Sequence, residues 1–375
     1  MVTWIFQYGL QQRGLPMHFW GLVKGTALAA LLAMSLPFDA AAEAEPSVSI
    51  LMYHHVSEST PRSTTVSPDE LRAHLQYLAD NDFTVIDIRD AIAGVKGEAE
   101  LPDKAVVLTF DDAYENIFSA GRPILQEFEV PWTLFVTTDP IGERPGRYMS
   151  WDQVRQLHDE GVTIANHTTD HAHMPRRGED ETDAEWRQRA AENILQAEQK
   201  ILDEVGVSHQ LFAFPYGEYD NVLLELVEEL GFTGFAQHSG GFGPASDMRA
   251  IPRFAAAGVY ADLSSLGTKM AALAFPIKEV RYEDTLLTHD QTRPTLEIEF
   301  EVRDFRTSQV TCFISNRPHD IEWLDDNTMR VQAEDDLSFG RSRYNCTAPS
   351  ISKPGRYYWY SQQWIRMNEE GSWPG

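Results

Sequence analysis

Two histidines four residues apart, His167 and His171 in NHTTDH, and two adjacent aspartates, Asp111 and Asp112 in TFDD, are the residues of this chain best suited to chemistry. A four-residue spacing lets a loop or helical turn aim both imidazoles at one ion. Two imidazoles plus one carboxylate leave open positions on a tetrahedral or octahedral metal. One aspartate of the pair can then ligate while the other accepts a proton from metal-bound water, whose pKa falls from ~15.7 toward ~7. Each pair alone is a weak signal. Their occurrence in order, with Pro215-Tyr216-Gly217 following, is a much stronger one.

The elements around these residues place them at strand ends. VSILMYHHV (48–56), TVIDI (84–88), AVVLTFDD (105–112), WTLFVTT (132–138) and VTIANH (162–167) read as buried strands. LFAFPYG (211–217), TGFAQHSGG (233–241) and MRAIPRF (248–254) follow in the same style. Between them lie helical patterns. Ser67, Pro68 and Glu70 form a capping box ahead of Leu71, Leu75 and Leu78, Ser150 caps 150–161, and longer helices cover 183–205 and 220–230. Strand–helix alternation with near-continuous apolar strands predicts an α/β fold with a parallel core. In a β/α barrel the active site lies at the C-terminal rim of the strands. The glycine fingerprint of a dinucleotide-binding sheet is absent, which favours the barrel.

The three motifs resemble those of the polysaccharide deacetylase (NodB-homology) family, carbohydrate esterase family four. TFDDAYEN (109–116), NHTTDHAHM (166–174) and AFPYG (213–217) match the family's first three motifs, and the resemblance covers about residues 48–285. It implies a distorted (β/α)7-type barrel and a metal-dependent deacetylase. Asp111 would be the general base, and Asp112, His167 and His171 the metal ligands. The metal would be Zn2+ or another divalent transition metal. Thr168 would brace the loop, Pro215 and Tyr216 would line the acetyl pocket, and the Tyr216 N–H would help hold the oxyanion. The sequence departs from the family at three places. Ala213 replaces the arginine that orients the base, and Arg253 in IPRF is its candidate substitute. Ala113 replaces a glycine. The general-acid histidine has two candidates, His289 in LLTHD and His238 in AQHSGG. MYHHV and FAFPYG look most like the exopolysaccharide deacetylases that act on poly-β-1,6-N-acetylglucosamine, so the implied substrate is a polysaccharide that contains N-acetylglucosamine. An O-acetyl esterase on an acetylated glycan, or a non-catalytic polysaccharide-binding protein, is the alternative.

Composition sets the outer bounds. The 375 residues carry 31 Lys+Arg against 57 Asp+Glu, a formal charge of −26. That acidity excludes a nucleic-acid footprint and docking on an anionic membrane. Residues 27–38, ALAALLAMSLPF, form an apolar run too short to span a bilayer, which takes ~20 residues. With Lys24 before it and Ala40–Ala42 after it, the run reads as a signal peptide over 1–42, its start possible at Met17. A secreted or periplasmic bacterial protein without a stable membrane anchor is expected. Residues 43–285 would be the deacetylase domain. From 290 to 375, short alternating segments such as TLEIEFEV predict a small all-β sandwich. The two cysteines, Cys312 and Cys346, both fall in it and would pair in an oxidising compartment. Trp359 and Trp364 are minority candidates for stacking on sugar rings.

Overall fold

Apolar runs covered on both faces become the central strands. Strands β1 (Val48–Tyr53), β2 (Ala105–Asp111), β3 (Thr133–Val136), β4 (Thr163–Asn166) and β5 (Leu211–Ala213) are buried along their whole lengths in the computed structural model. The structure describes residues 44–374 apart from Val302, so the expected signal peptide lies outside the described residues. With β6 (Thr233–Phe235) and β7 (Phe254–Ala255), the strands pair in parallel in the order β7-β1-β2-β3-β4-β5-β6. A parallel bridge between Phe235 and Ile251 links β6 to the segment entering β7, and the sheet curves into a distorted half-barrel. Among the described residues no helix is long and apolar enough to cross a membrane.

Among the described residues seven helices pack around this sheet: α1 (Pro68–Asp80), α2 (Ile88–Val95), α3 (Arg122–Glu127), α4 (Trp151–Asp159), α5 (Asp183–Val205), α6 (Asn221–Glu229) and α7 (Leu263–Met270). Alternate strand residues serve two apolar clusters. Val106, Leu108 and Phe110 pack with Leu71 and Leu75 of α1 and with Val154 of α4. Val107, Phe135, Ala213 and Phe235 pack with Ile88 and Ala91 of α2. The helix starts are set by their caps. Ser67 with Glu70, Ser150 with Gln153, and Thr182 with Glu185 each close a full capping box, worth about 1 kcal/mol apiece. The strand expected over 84–88 stops at Val85, because Asp87 accepts from the Arg89 N–H and starts α2 instead.

The C-terminal part is two packed antiparallel sheets. Its strands are β8 (Ile277–Arg281), β9 (Leu286–Leu287), β10 (Thr295–Phe300), β11 (Thr311–Ile314), β12 (Arg317–His319), β13 (Glu322–Trp323), β14 (Thr328–Gln332), β15 (Gly340–Pro349) and β16 (Tyr357–Arg366). They pair as β8-β10-β14-β13 and β9-β16-β15-β11-β12; β9 alone runs parallel to its neighbour. The first of them precedes the boundary expected at 290. In β10 every second residue is buried, as its alternation predicts. Leu296, Ile298 and Met329 from one sheet meet Tyr344, Cys346 and Trp364 from the other. Trp364 is fully buried in this core, and Trp359 packs edge-on against Phe254 of the half-barrel. The burial of Trp364 corrects the minority sugar-stacking expectation for that ring; Trp359, half-buried, also lines a cavity beside the sandwich. The two parts are joined through backbone: Leu273 donates to Tyr357 and accepts from Trp359 at 2.8 and 2.9 Å.

Cys312 and Cys346 stand directly opposite in β11 and β15 and form a disulfide that spans 34 residues. A loop of that size contributes about 2–4 kcal/mol. The Cys312→Ala/Cys346→Ala variant is expected to lose about that much stability in urea unfolding. An unchanged midpoint and slope would show that the cross-link adds nothing.

Candidate active site

The C-terminal ends of β2, β4 and β5 converge on one rim. Strand β2 ends at Asp111, β4 delivers His167, and the turn after β5 carries Pro215, Tyr216 and Gly217. To reach this arrangement the backbone turns into the left-handed region repeatedly. Asp112 (φ 75°), Ala113 (57°), Thr168 (71°), His171 (58°) and Tyr216 (59°) all adopt it. Each such non-glycine residue costs roughly 1–2 kcal/mol, and this kind of strain concentrates at functional sites. Ala113 occupies a conformation that glycine takes without penalty. The next turn does keep its glycine: a Cβ on Gly217 (φ 69°) would sit 2.5 Å from the Gln237 side chain.

Asp112, His167 and His171 come together, with one ligand atom of each within 4.8 Å of the others. The Asp112 Oδ1 lies 3.3 Å from both His167 Nε2 and His171 Nε2. The His167 Nδ1 is 2.8 Å from the Ala213 carbonyl, which can only accept, so Nδ1 carries the proton. That leaves the neutral ring's Nε2 as a buried acceptor with no hydrogen-bond partner, aimed at a carboxylate oxygen. Two acceptors held face to face call for a cation between them, so the residues present fit a divalent metal. The electrostatics agree. Burial alone would raise the Asp112 carboxyl, but His167 and the neighbouring histidines bring it far below its usual range. Burial opposes a charged His167, yet Asp112 and Asp111 raise its pKa, so the carboxylates favour a positive charge at this ring, be it a proton on Nε2 or a metal ion. Burial and the charge of His167 push His171 down to about 4.

Arg253 makes the second key contact. Its Nη1 and Nη2 donate to the two oxygens of Asp111 at 2.7 and 2.8 Å, and both side chains are fully buried. Its Nε donates to the Ala236 carbonyl at 2.9 Å, so the fork is fixed at both ends. Burial would raise the Asp111 carboxyl; Arg253 and His167 outweigh it and keep the group ionised. An arginine from the segment before β7 therefore contacts Asp111, while Ala213 occupies the motif position.

A groove of about 670 Å³ opens over this centre, lined by His54, Asp112, Tyr114, Tyr148, His171 and Tyr216 among others. Pro215, next to Tyr216, is buried and is not among the residues that line the groove. Thr168 accepts from the His171 N–H at 3.0 Å, bracing the loop. The two acid candidates are not brought to the groove. His238 lines a separate cavity of about 300 Å³ beside the β-sandwich, where burial and Arg343 push its pKa down to about 3. His289 lies half-exposed in the loop after β9, next to Asp290. Apart from His171, the histidine lining the groove is His54, just past the end of β1. Its place at a strand C-terminus was the available signal. The adjacent His55 is a packing residue that stacks on Tyr114 at 3.7 Å.

Residues 98–235 match the family described as polysaccharide deacetylase. The poly-β-1,6-N-acetyl-D-glucosamine N-deacetylase of Escherichia coli K12 is 28% identical over 245 aligned positions, covering 54% of this chain. The match spans about a third (35%) of that relative's length. Two solved structures share the fold, each with a TM-score of 0.54. They are the IcaB structure from Ammonifex degensii (21% identity, 61% of this chain and 99% of that one) and the Streptococcus pyogenes deacetylase PplD (18%, 60% and 99%).

If the Arg253 fork compensates Asp111, Arg253→Met strands a buried carboxylate and costs about 3–5 kcal/mol. The loss should narrow as pH falls, because burial then raises the Asp111 pKa and protonation relieves the variant. Unfolding curves at pH 7 and pH 5 check both; equal losses at the two pH values would contradict the pairing.

Proposed function

We propose that this chain, whose residues 98–235 match the polysaccharide deacetylase family, removes N-acetyl groups from a polysaccharide containing N-acetylglucosamine and releases acetate. The observation that carries this reading is the rim cluster, in which Asp112, His167 and His171 can hold an ion beside an ionised, arginine-clamped Asp111. A divalent metal there, zinc by the donor set, would supply Lewis acidity and a water with a pKa near ~7.

The protein's own residues do the rest. Asp111 accepts the proton of the attacking water, and Arg253 keeps its carboxylate oriented. Tyr216, on the rim of the groove, offers its backbone N–H to the oxyanion, a role worth ~10²–10³-fold in similar sites. The leaving amine needs a proton. His54 lines the groove, so we assign it the general-acid role in place of His238 and His289. The name of the Escherichia coli relative supports poly-β-1,6-N-acetylglucosamine as the polymer. The apolar run at 27–38 and the disulfide support action outside the cytoplasm.

Acetate release from N-acetyl and O-acetyl glycans, assayed side by side, separates the N-deacetylase from the esterase. Release from the O-acetyl glycan alone would reverse the assignment. Prolonged chelation should abolish turnover and zinc should restore it; activity that survives chelation counts against the metal. Asp111→Asn should lower kcat by ~10²–10⁴-fold while zinc remains bound. His54→Ala should lower kcat more than His238→Ala or His289→Ala; the reverse order would return the acid to one of those two.

A further inference from the structure

The turn that carries Tyr216 is held from the side by the β-sandwich. Arg341, the second residue of β15, donates from Nη1 to the Tyr216 carbonyl at 2.8 Å, and its guanidinium lies 5.8 Å from the Tyr216 ring centre. Its Nε stands 3.6 Å from Glu218. Glu218 is fully buried one residue past Gly217 and gathers two further donors. The Trp373 indole N–H reaches it at 2.9 Å from the C-terminal segment, and His173 at 2.7 Å from the metal-site loop. His173 also stacks flat on the Tyr216 ring, at 3.9 Å and 6°. Arg176 closes the circle by donating to the Trp373 carbonyl at 2.5 Å. Tyr216 is therefore gripped at its carbonyl and at its ring while its backbone sits at φ 59°, a conformation its own side chain disfavours.

A strained residue persists only where its surroundings over-determine it. Here two of those surroundings, Arg341 and Trp373, come from outside the half-barrel. We propose that Arg341 is a positioning residue for the reaction, and that the β-sandwich completes the active site by locking the Tyr216 turn. This rests on the deacetylase reading above, in which the Tyr216 N–H meets the oxyanion. Arg341 acts through Tyr216: losing its grip lets the peptide relax and misdirects that N–H in the transition state. The loss therefore falls on kcat rather than on substrate affinity.

The test compares Arg341→Ala, Arg341→Lys and Trp373→Phe with Lys353→Ala in the full chain. Lys353 joins the sandwich to the half-barrel at Asp103, away from the groove. Rates of acetate release against polymer concentration and thermal unfolding are measured for each. Arg341→Ala is expected to lower kcat about tenfold or more, with KM within about twofold and an unchanged melting temperature. Arg341→Lys should recover part of the rate, because one amino group can still reach the Tyr216 carbonyl. Lys353→Ala should leave kcat unchanged. An unchanged kcat in Arg341→Ala, or a rise in KM alone, overturns the proposal; the second result would make Arg341 a direct sugar contact. A crystal structure of Arg341→Ala decides independently of turnover. If Tyr216 keeps φ near 59° and its carbonyl does not move, the proposal fails whatever the rates. Absence of acetate release by the unaltered protein would sink the deacetylase reading alone.

Discussion

A fully buried arginine–carboxylate fork sits at the centre of the rim, and the site depends on it. Asp111 is enclosed by protein, and burial alone would protonate it. The two parallel hydrogen bonds from Arg253 keep it anionic and fix the plane of its carboxylate. A lysine could supply the charge but not the fork. Asp112, one residue on, instead faces the two histidines with its Oδ1. One interaction thus separates two adjacent carboxylates into two chemical roles, a division that their sequence positions alone do not impose.

The same rim concentrates backbone strain. Asp112, Ala113, Thr168, His171 and Tyr216 sit in the left-handed region, and all lie within one residue of a proposed ligand, the base or the oxyanion donor. The first four follow directly on β2 and β4, and β4 is tied to helix α5 by Asn166, which donates to the Ile194 carbonyl. The fifth, Tyr216, follows the short strand β5 and draws its support from farther away. Local stability is therefore spent where the chemistry needs unusual directions, and it is recovered in the capped helices and the two apolar clusters.

Much of this was legible in the sequence. The strands β1 to β5, the helix 183–205, the capping box at Ser67 and the cap at Ser150 followed from apolar periodicity and local polar signals, which act over a few residues. The metal cluster was legible because its ligands fall in short motifs at strand ends. Other features depend on tertiary approach. Arg253 could be named only as a candidate, since 142 residues separate it from Asp111. The letters could not place the acid histidine: LLTHD matches the motif, while His289, in the loop after β9, is not among the residues that line the groove. For the adjacent His54 and His55 at the end of β1 the sequence allows packing for at least one and a role at the edge of the site; the structure packs His55 and sets His54 on the groove. Arg341 and Trp373 carry no local signal at all; only the packing of the sandwich against the turn after β5 gives them a role.

The strand that bears Arg341 also bears Cys346, bonded across the sheet to Cys312. That places a covalent stitch and a hand on the active-site turn in one ten-residue element. A chain whose thiols were still reduced would hold β15 less firmly against its neighbour, and the Tyr216 turn with it. Oxidation of the pair would then act as a maturation step, setting the Tyr216 turn only once the disulfide has closed.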